Sequence, residues 1–149
     1  MNYFEEVELP KFDREIFYSE LIRLKSLMRE RYQHAKGWTS IDLVSKSKSQ
    51  LILSTCPNVK EWLEKQNFRI VYVAILAPKG YINWHVDQTH KKMSDAINLY
   101  IRTNAFSVIE FEGGNIWQPQ IGKAYRFRSD IKHRVINASK ESRVVLNLW

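Results

Sequence analysis

Phe68 to Ala77 reads Phe-Arg-Ile-Val-Tyr-Val-Ala-Ile-Leu-Ala, a run rich in β-branched and aromatic residues that follows Asn67 and ends at Pro78-Lys79-Gly80. That composition predicts a strand. The same texture continues through Ala96 to Arg102 and Ser107 to Phe111. Glu112-Gly113-Gly114-Asn115 then reads as a hairpin turn into Ile116 to Gln118. Lys123 to Arg128, His133 to Asn137 and Arg143 to Leu148 complete the series. Short strands with no helices between them imply an antiparallel sheet. Trp38 to Val44 and Gln50 to Ser54 add two earlier runs. The expected fold class is therefore mainly β (α+β), a double-stranded β-helix or jelly roll with an N-terminal helix packed on one sheet.

The helical part lies upstream. From Asp13 to Lys36, Phe17, Leu21, Leu24 and Met28 recur at helical spacing and line one face. Asp13 is placed to cap the start and Gly37 the end. A second, shorter helix is expected from Pro57, with Val59 and Leu63 on a common face. No repeat, low-complexity tract or flexible linker divides the chain, so the sequence predicts one domain over 1–149, helical to 37 and β from about 38.

The 149 residues carry 23 Lys and Arg against 16 Asp and Glu, a formal net charge of +7. Successive thirds of the chain (1–50, 51–100 and 101–149) carry +1, +2 and +4, so the excess is mild and heaviest at the C-terminal end. No block of like charges marks a nucleic-acid groove, and a solvated basic face is the favoured account of the excess. With 44% hydrophobic residues the chain can bury a core, which argues against disorder. The one cysteine, Cys56, excludes an internal disulfide and a thiolate metal cluster. No apolar run approaches the ~20 residues of a membrane span, and the acidic start lacks a leader pattern. A soluble, cytoplasmic protein without membrane contact is the expectation.

One constellation carries chemistry. In Ile82-Asn83-Trp84-His85-Val86-Asp87, His85 and Asp87 sit two apart on a strand and point the same way. His133, at the start of a later strand, supplies a third donor. Two histidines and one carboxylate on a β scaffold match the facial triad of non-haem Fe(II) oxygenases, with positions left for co-substrate and oxygen. Alone, this pattern leaves ordinary core or surface histidines as an alternative. Arg143, between Ser142 and Val144 on the last strand, adds a guanidinium that needs a partner and can grip a carboxylate by paired hydrogen bonds.

From about Trp38 to the C-terminus the chain resembles the 2-oxoglutarate and Fe(II)-dependent oxygenases, and among them the aspartyl/asparaginyl β-hydroxylase-like group. The resemblance rests on Trp38 to Leu43, the helix start at Cys56-Pro57, and Ala77 to Asp87. Gly122 to Phe127, His133 to Asn137 and Arg143 to Leu146 continue it. It implies that His85, Asp87 and His133 bind Fe(II) and that Arg143 pairs with the far carboxylate of 2-oxoglutarate. O2 would be the oxidant, with release of succinate and CO2 and hydroxylation of an amino acid or protein side chain. Members of the group often lack the acidic ligand, so Asp87 makes this chain look closer to members with a full triad, such as free-proline hydroxylases. Asn98 stands where relatives commonly place a histidine near the co-substrate.

Other residues are secondary. Trp84, Trp38 and His90 are candidates for the substrate pocket, His90 from a polar loop that reads as a lid; for Trp84, Trp38 and Trp117 the core is the favoured alternative, since strand tryptophans are more often core. His34 is expected in the last turns of the long helix. Asn137 is expected to organise backbone near the third donor. Arg126, Arg128, Lys132 and Arg134 either form a solvated strand face or make a basic rim that steers an anionic small molecule or peptide. The loop from His85 to Asp95 and the segment from Lys46 to Ser49 are expected at the pocket mouth. A cupin-like metal or ligand-binding module without turnover, and a basic nucleic-acid-binding β domain, stay open as alternatives.

Overall fold

Val71–His85 forms one fifteen-residue strand, β3, in a computed structural model that describes residues 2–30, 32–45 and 51–149. Its first half pairs Val71 to Leu76 with β9 (Arg143–Leu148), in the register Leu76 opposite Arg143. Its second half pairs Tyr81 to His85 with β8 (His133–Asn137). β2 (Ala35–Val44) runs antiparallel along the other side of β3, alongside both halves. The full order is β1 (Phe4–Val7), β7 (Ala124–Phe127), β4 (Ile97–Arg102), β9, β3, β8, β5 (Ser107–Phe111) and β6 (Ile116–Trp117). This curled antiparallel sheet is the jelly roll expected from the sequence.

The curl is local in origin. Between Leu76 and Tyr81 the β2 pairing shifts register, with Gly37 bulged opposite at φ +72°, a conformation that suits glycine. Gly80 lies so close to β2 that a Cβ there would stand 2.7 Å from the Lys36 carbonyl oxygen. The two glycines let β2 and β3 cross tightly where β3 leaves one set of partners for the other.

Alternation along the strands makes two cores. Val71, Val73 and Ile75 of β3, with Val144, Leu146 and Leu148 of β9, pack against the helices beside Phe17, Leu21 and Val59. Leu76, Tyr100, Tyr125, Phe127 and Val145 face the other way, against Ile82, Ile109, Phe111, Trp117 and Val135. Strands covered on both faces read as nearly continuous apolar runs. Burying each large side chain stabilises the fold by about 1.5–3 kcal/mol before entropy is counted.

The helical segment differs from the expectation. α1 spans only Arg14–Ile22, with Asp13 accepting from the Ile16 amide at 3.1 Å, and a 3-10 helix follows over Arg23–Leu27. The backbone turns extended at Met28 because Arg29 must pair with Ser40 of β2 through reciprocal backbone hydrogen bonds. Leu24 and Met28 still reach the core, so the spacing survives although the α-helix does not. Gly37 is a bulge residue in β2, not a helix cap. His34 precedes β2, and its carbonyl accepts the Asn83 amide at 2.9 Å.

The run ending at Ser54 is helical: α2 is Leu51–Ser54, and Gln50 lies outside the described residues. The Ser54 and Thr55 hydroxyls donate to the Leu51 and Ile52 carbonyls, which favours the turn over extension. α3 (Pro57–Glu64) begins at proline as expected, and the buried Glu20 carboxylate accepts from the Asn58 and Val59 amides at its N-terminus. β1 had no counterpart in the sequence reading. Its Phe-Glu-Glu-Val pairs with β7, placing Glu6 3.2 Å from Lys123 and Glu5 3.9 Å from Arg126. No helix among the described residues is long and apolar enough to cross a membrane.

The crossing predicts that Gly80→Ala lowers the urea midpoint by the equivalent of about 1–3 kcal/mol, because a backbone oxygen occupies the space of the new methyl. A wild-type midpoint would show that the two strands can separate there at no cost.

Candidate metal centre

The pairing of β3 with β8 ends at His85 opposite His133, and their ring centroids lie 4.4 Å apart. Asp87 is two residues further, where its amide donates to the Ser129 carbonyl at 2.8 Å. That bond brings the carboxylate against both rings, with Oδ1 3.3 Å from His85 Nε2 and Oδ2 3.4 Å from His133 Nε2. One donor atom from each of the three residues lies within 4.8 Å of the other two. His133 is fully buried, flanked by Phe127 and Phe111, while Asp87 is half exposed.

The other ring nitrogens decide whether this set suits a cation. His85 Nδ1 is 2.6 Å from the Asn83 carbonyl and His133 Nδ1 is 2.7 Å from the Ile131 carbonyl. A carbonyl only accepts, so both Nδ1 atoms carry the proton and both Nε2 atoms face the carboxylate. Lone pairs converging on carboxylate oxygens require a cation or additional protons between them. This donor set, with each histidine held from behind by a carbonyl, fits a divalent metal such as Fe(II).

The titration of the metal-free groups expresses the same demand. Burial pulls His85 down, but the Asp87 hydrogen bond, the Asn83 carbonyl and the Asp87 charge outweigh it, so its pKa is raised. Burial pushes Asp87 up, yet the hydrogen bonds and charges of His133 and His85 hold it well below the usual carboxylate range.

The triad opens on a cavity of about 390 Å³ whose walls include Trp38, Asn98, Phe127, Arg143 and Asn147. Arg143 enters from β9, and its Nε is buried without a hydrogen-bond partner. Its guanidinium carbon lies 5.5 Å from the centroid of the Tyr100 ring, and no carboxylate among the described residues pairs with it. Burial lowers the Arg143 pKa against a small opposing effect of Tyr100, and burial pushes the Tyr100 phenol up to about 12. A planar cation left unmatched on a cavity wall is suited to a ligand carboxylate. That orphaned Nε makes the cavity fit 2-oxoglutarate as well as the triad fits the metal.

Of the pocket candidates, Trp38 and Asn98 line the cavity, whereas Trp84 and His90 do not. Trp84 is 38% exposed and lies 5.0 Å from the Arg134 guanidinium carbon. His90 sits in the exposed loop, from which Gln88 reaches the cavity instead. Lys46 to Ser49 lie outside the described residues. Asn137 does organise backbone, donating to the Leu76, Ala77 and Glu141 carbonyls. Tyr32, Asn147 and Trp149 line the cavity without having been singled out. Asn147 was legible, because residues 143, 145 and 147 of one strand share a face. Tyr32, whose ring lies 5.7 Å from that of His85, carries no such signal.

The basic rim needs correction. Arg126 faces Glu5 at 3.9 Å, Arg128 forks onto Asp130 at 2.7 Å and Arg134 meets Glu110 at 2.6 Å. Three of the four cations expected there are matched by carboxylates, so the rim does not argue for an anionic substrate or nucleic acid.

The fold is shared with solved structures of low identity. A viral collagen prolyl hydroxylase from Paramecium Bursaria Chlorella virus-1, in complex with 2OG, is 14% identical with a TM-score of 0.58, covering 99% of this chain and 94% of that one. A Pseudomonas putida prolyl-4-hydroxylase is 13% identical with a TM-score of 0.61, covering 99% and 91%. An oxidoreductase of the 2OG-Fe(II) oxygenase family from Burkholderia pseudomallei is 15% identical with a TM-score of 0.56, covering 94% and 81%. No curated protein gives a match. The chain is an enzyme of the cupin-type 2-oxoglutarate and Fe(II)-dependent oxygenase class. The sequence model of aspartyl/asparaginyl β-hydroxylase matches residues 14–148, and the chain belongs to that family.

The charge arrangement sets a pH dependence. His85, raised in the fold, contributes stability that is complete below the ordinary imidazole range and lost as pH rises through its raised value. Asp87, depressed in the fold, contributes stability present above the ordinary carboxylate range and lost as pH falls through its folded value. The metal-free protein should therefore lose the His85 contribution as pH rises out of the ordinary imidazole range and through the raised value, while Co(II), competing with the proton, binds more tightly over the same interval. Melting curves should show stabilisation by Co(II) that grows with pH; a Co(II) effect independent of pH contradicts the assignment.

Proposed function

We propose that this enzyme is a 2-oxoglutarate and Fe(II)-dependent dioxygenase that uses O2 to hydroxylate an amino acid or protein side chain, releasing succinate and CO2. His85, Asp87 and His133 hold the iron, Arg143 pairs with the far carboxylate of 2-oxoglutarate, and Asn98 contributes to the wall around that co-substrate. The observation that carries this reading is the convergence of three donor atoms on a cavity whose wall holds an unmatched guanidinium. When bound, Fe(II) and 2-oxoglutarate supply the oxidising chemistry, coupling decarboxylation of the keto acid to oxidation of a C–H bond.

The chain's own residues orient and insulate. The Asn83 and Ile131 carbonyls fix the tautomers that leave Nε2 free on each histidine. Arg143 fixes the co-substrate's length and direction through its planar fork. Phe127 and Trp38 form apolar walls that keep water from the reacting centre. Tyr32, Trp38 and Gln88 line the cavity and are the residues we assign to contact the substrate.

Anaerobic addition of 2-oxoglutarate to the Fe(II)-loaded protein should produce a weak visible charge-transfer band, and air should produce slow succinate release. Arg143→Ala should keep the metal but weaken 2-oxoglutarate by about 30-fold or more, since removing one partner of a desolvated charge pair costs about 2 kcal/mol or more. Unchanged co-substrate affinity in that variant, or no band and no succinate in the intact protein, contradicts the reading.

A further inference from the structure

The turn between β7 and β8 contributes no donor atom, yet two of the three donor side chains hang from it. The Ser129 carbonyl accepts the Asp87 amide at 2.8 Å, and the Ile131 carbonyl accepts His133 Nδ1–H at 2.7 Å. Between those two carbonyls stands Asp130. Its carboxylate receives Arg128 Nε at 2.7 Å and a terminal nitrogen of the same guanidinium at 2.8 Å. The Ile131 amide closes the turn onto the Arg128 carbonyl at 3.1 Å, and the Arg128 amide donates to the Tyr3 carbonyl at 2.7 Å.

An ordinary surface ion pair would do nothing for the site, since exposed pairs are worth little. This one differs in geometry and setting. It is bidentate, which fixes the plane of the guanidinium against the plane of the carboxylate, and the Asp130 side chain is only 5% exposed. Arg126, two residues earlier on β7, offers the contrast: its contact with Glu5 is single, 3.9 Å long and exposed. The Ser129 carbonyl lies in the peptide plane just before residue 130 and the Ile131 carbonyl in the plane just after Ile131, with the Ile131 amide tied to the Arg128 carbonyl between them, so a change of turn conformation at residue 130 would shift both carbonyls from Asp87 and His133.

We infer that the Arg128–Asp130 fork is a positioning pair for the metal centre, locking the Ser129 and Ile131 carbonyls that aim Asp87 and set the tautomer of His133. The inference rests on the proposed reading that His85, Asp87 and His133 hold a divalent metal. Both residues act through other groups and touch neither metal nor co-substrate.

The test is anaerobic Co(II) titration of the intact protein and of Asp130→Ala, Asp130→Asn, Arg128→Lys and Arg126→Met at one pH. Affinity and the cobalt ligand-field absorption are read, with circular dichroism melts alongside. Both Asp130 variants should fold, bind Co(II) about 10 to 100-fold more weakly, as expected for loss of an outer positioning contact, and show an altered cobalt band. Arg128→Lys, which keeps the charge but not the fork, should fall between them and wild type, and Arg126→Met should match wild type. Unchanged affinity and band in the folded Asp130 variants overturns the inference, as does an equal loss in Arg126→Met. If Asp130→Ala does not fold, Asp130→Asn decides, and its unfolding too would overturn the inference by assigning the fork to the fold. Failure of the intact protein to bind Co(II) overturns the metal reading and this inference with it, whereas binding that the variants leave unaltered overturns only the inference.

Discussion

His85 and His133 face each other because the last residue of β3 is paired with the first residue of β8. That single cross-strand pair depends on β3 being long enough to serve two partners and on the Gly37–Gly80 crossing that lets it change from β9 to β8. The same strand pairs Leu76 with Arg143, so one element sets both the facing histidines proposed to hold the metal and the cation proposed for the co-substrate. Cross-strand register is a rigid ruler, since a slip of one residue turns every side chain to the opposite face. The two apolar cores on either side of β3 and β9 hold that register.

The site is built from charges left incomplete. Two imidazole Nε2 atoms face one carboxylate, and a buried guanidinium nitrogen has no acceptor among the described residues. Other charged groups are matched within the protein, as in Arg128 with Asp130, Arg134 with Glu110 and the Glu20 carboxylate at the start of α3. Groups that are expensive to leave unpaired persist where a ligand completes them. The net charge of +7 therefore describes the site poorly. The positive group that matters is Arg143, which no carboxylate among the described residues pairs, and the acidic β1 offsets part of the basic excess at the C-terminal end.

The β half was legible because its signal is local. Runs such as His133 to Asn137 and Arg143 to Leu148 show strand composition and appear as strands with those bounds. Arg143 and His133 were legible because polar residues inside apolar strands stand out; Asp87 was expected on one strand face with His85, but β3 ends at His85 and the Ser129 carbonyl holds Asp87 in the bend beyond it. What failed depended on distant partners. The long helix was cut short because Arg29 bonds to Ser40, and β1 exists only because β7 offers it an edge. Tyr32 reaches the cavity through the irregular link into β2, and Trp84 and His90 were drawn toward the pocket only by nearness in sequence to His85. The Asp130 turn was read merely as preceding His133; that its two flanking carbonyls hold Asp87 and His133 is a fact of three dimensions.

The most direct measurement is anomalous diffraction at the iron edge from crystals grown anaerobically with Fe(II) and 2-oxoglutarate. The account predicts one iron peak bounded by His85 Nε2, the Asp87 carboxylate and His133 Nε2, with the far carboxylate of 2-oxoglutarate on Arg143. An iron peak elsewhere, or 2-oxoglutarate bound away from Arg143, would contradict it.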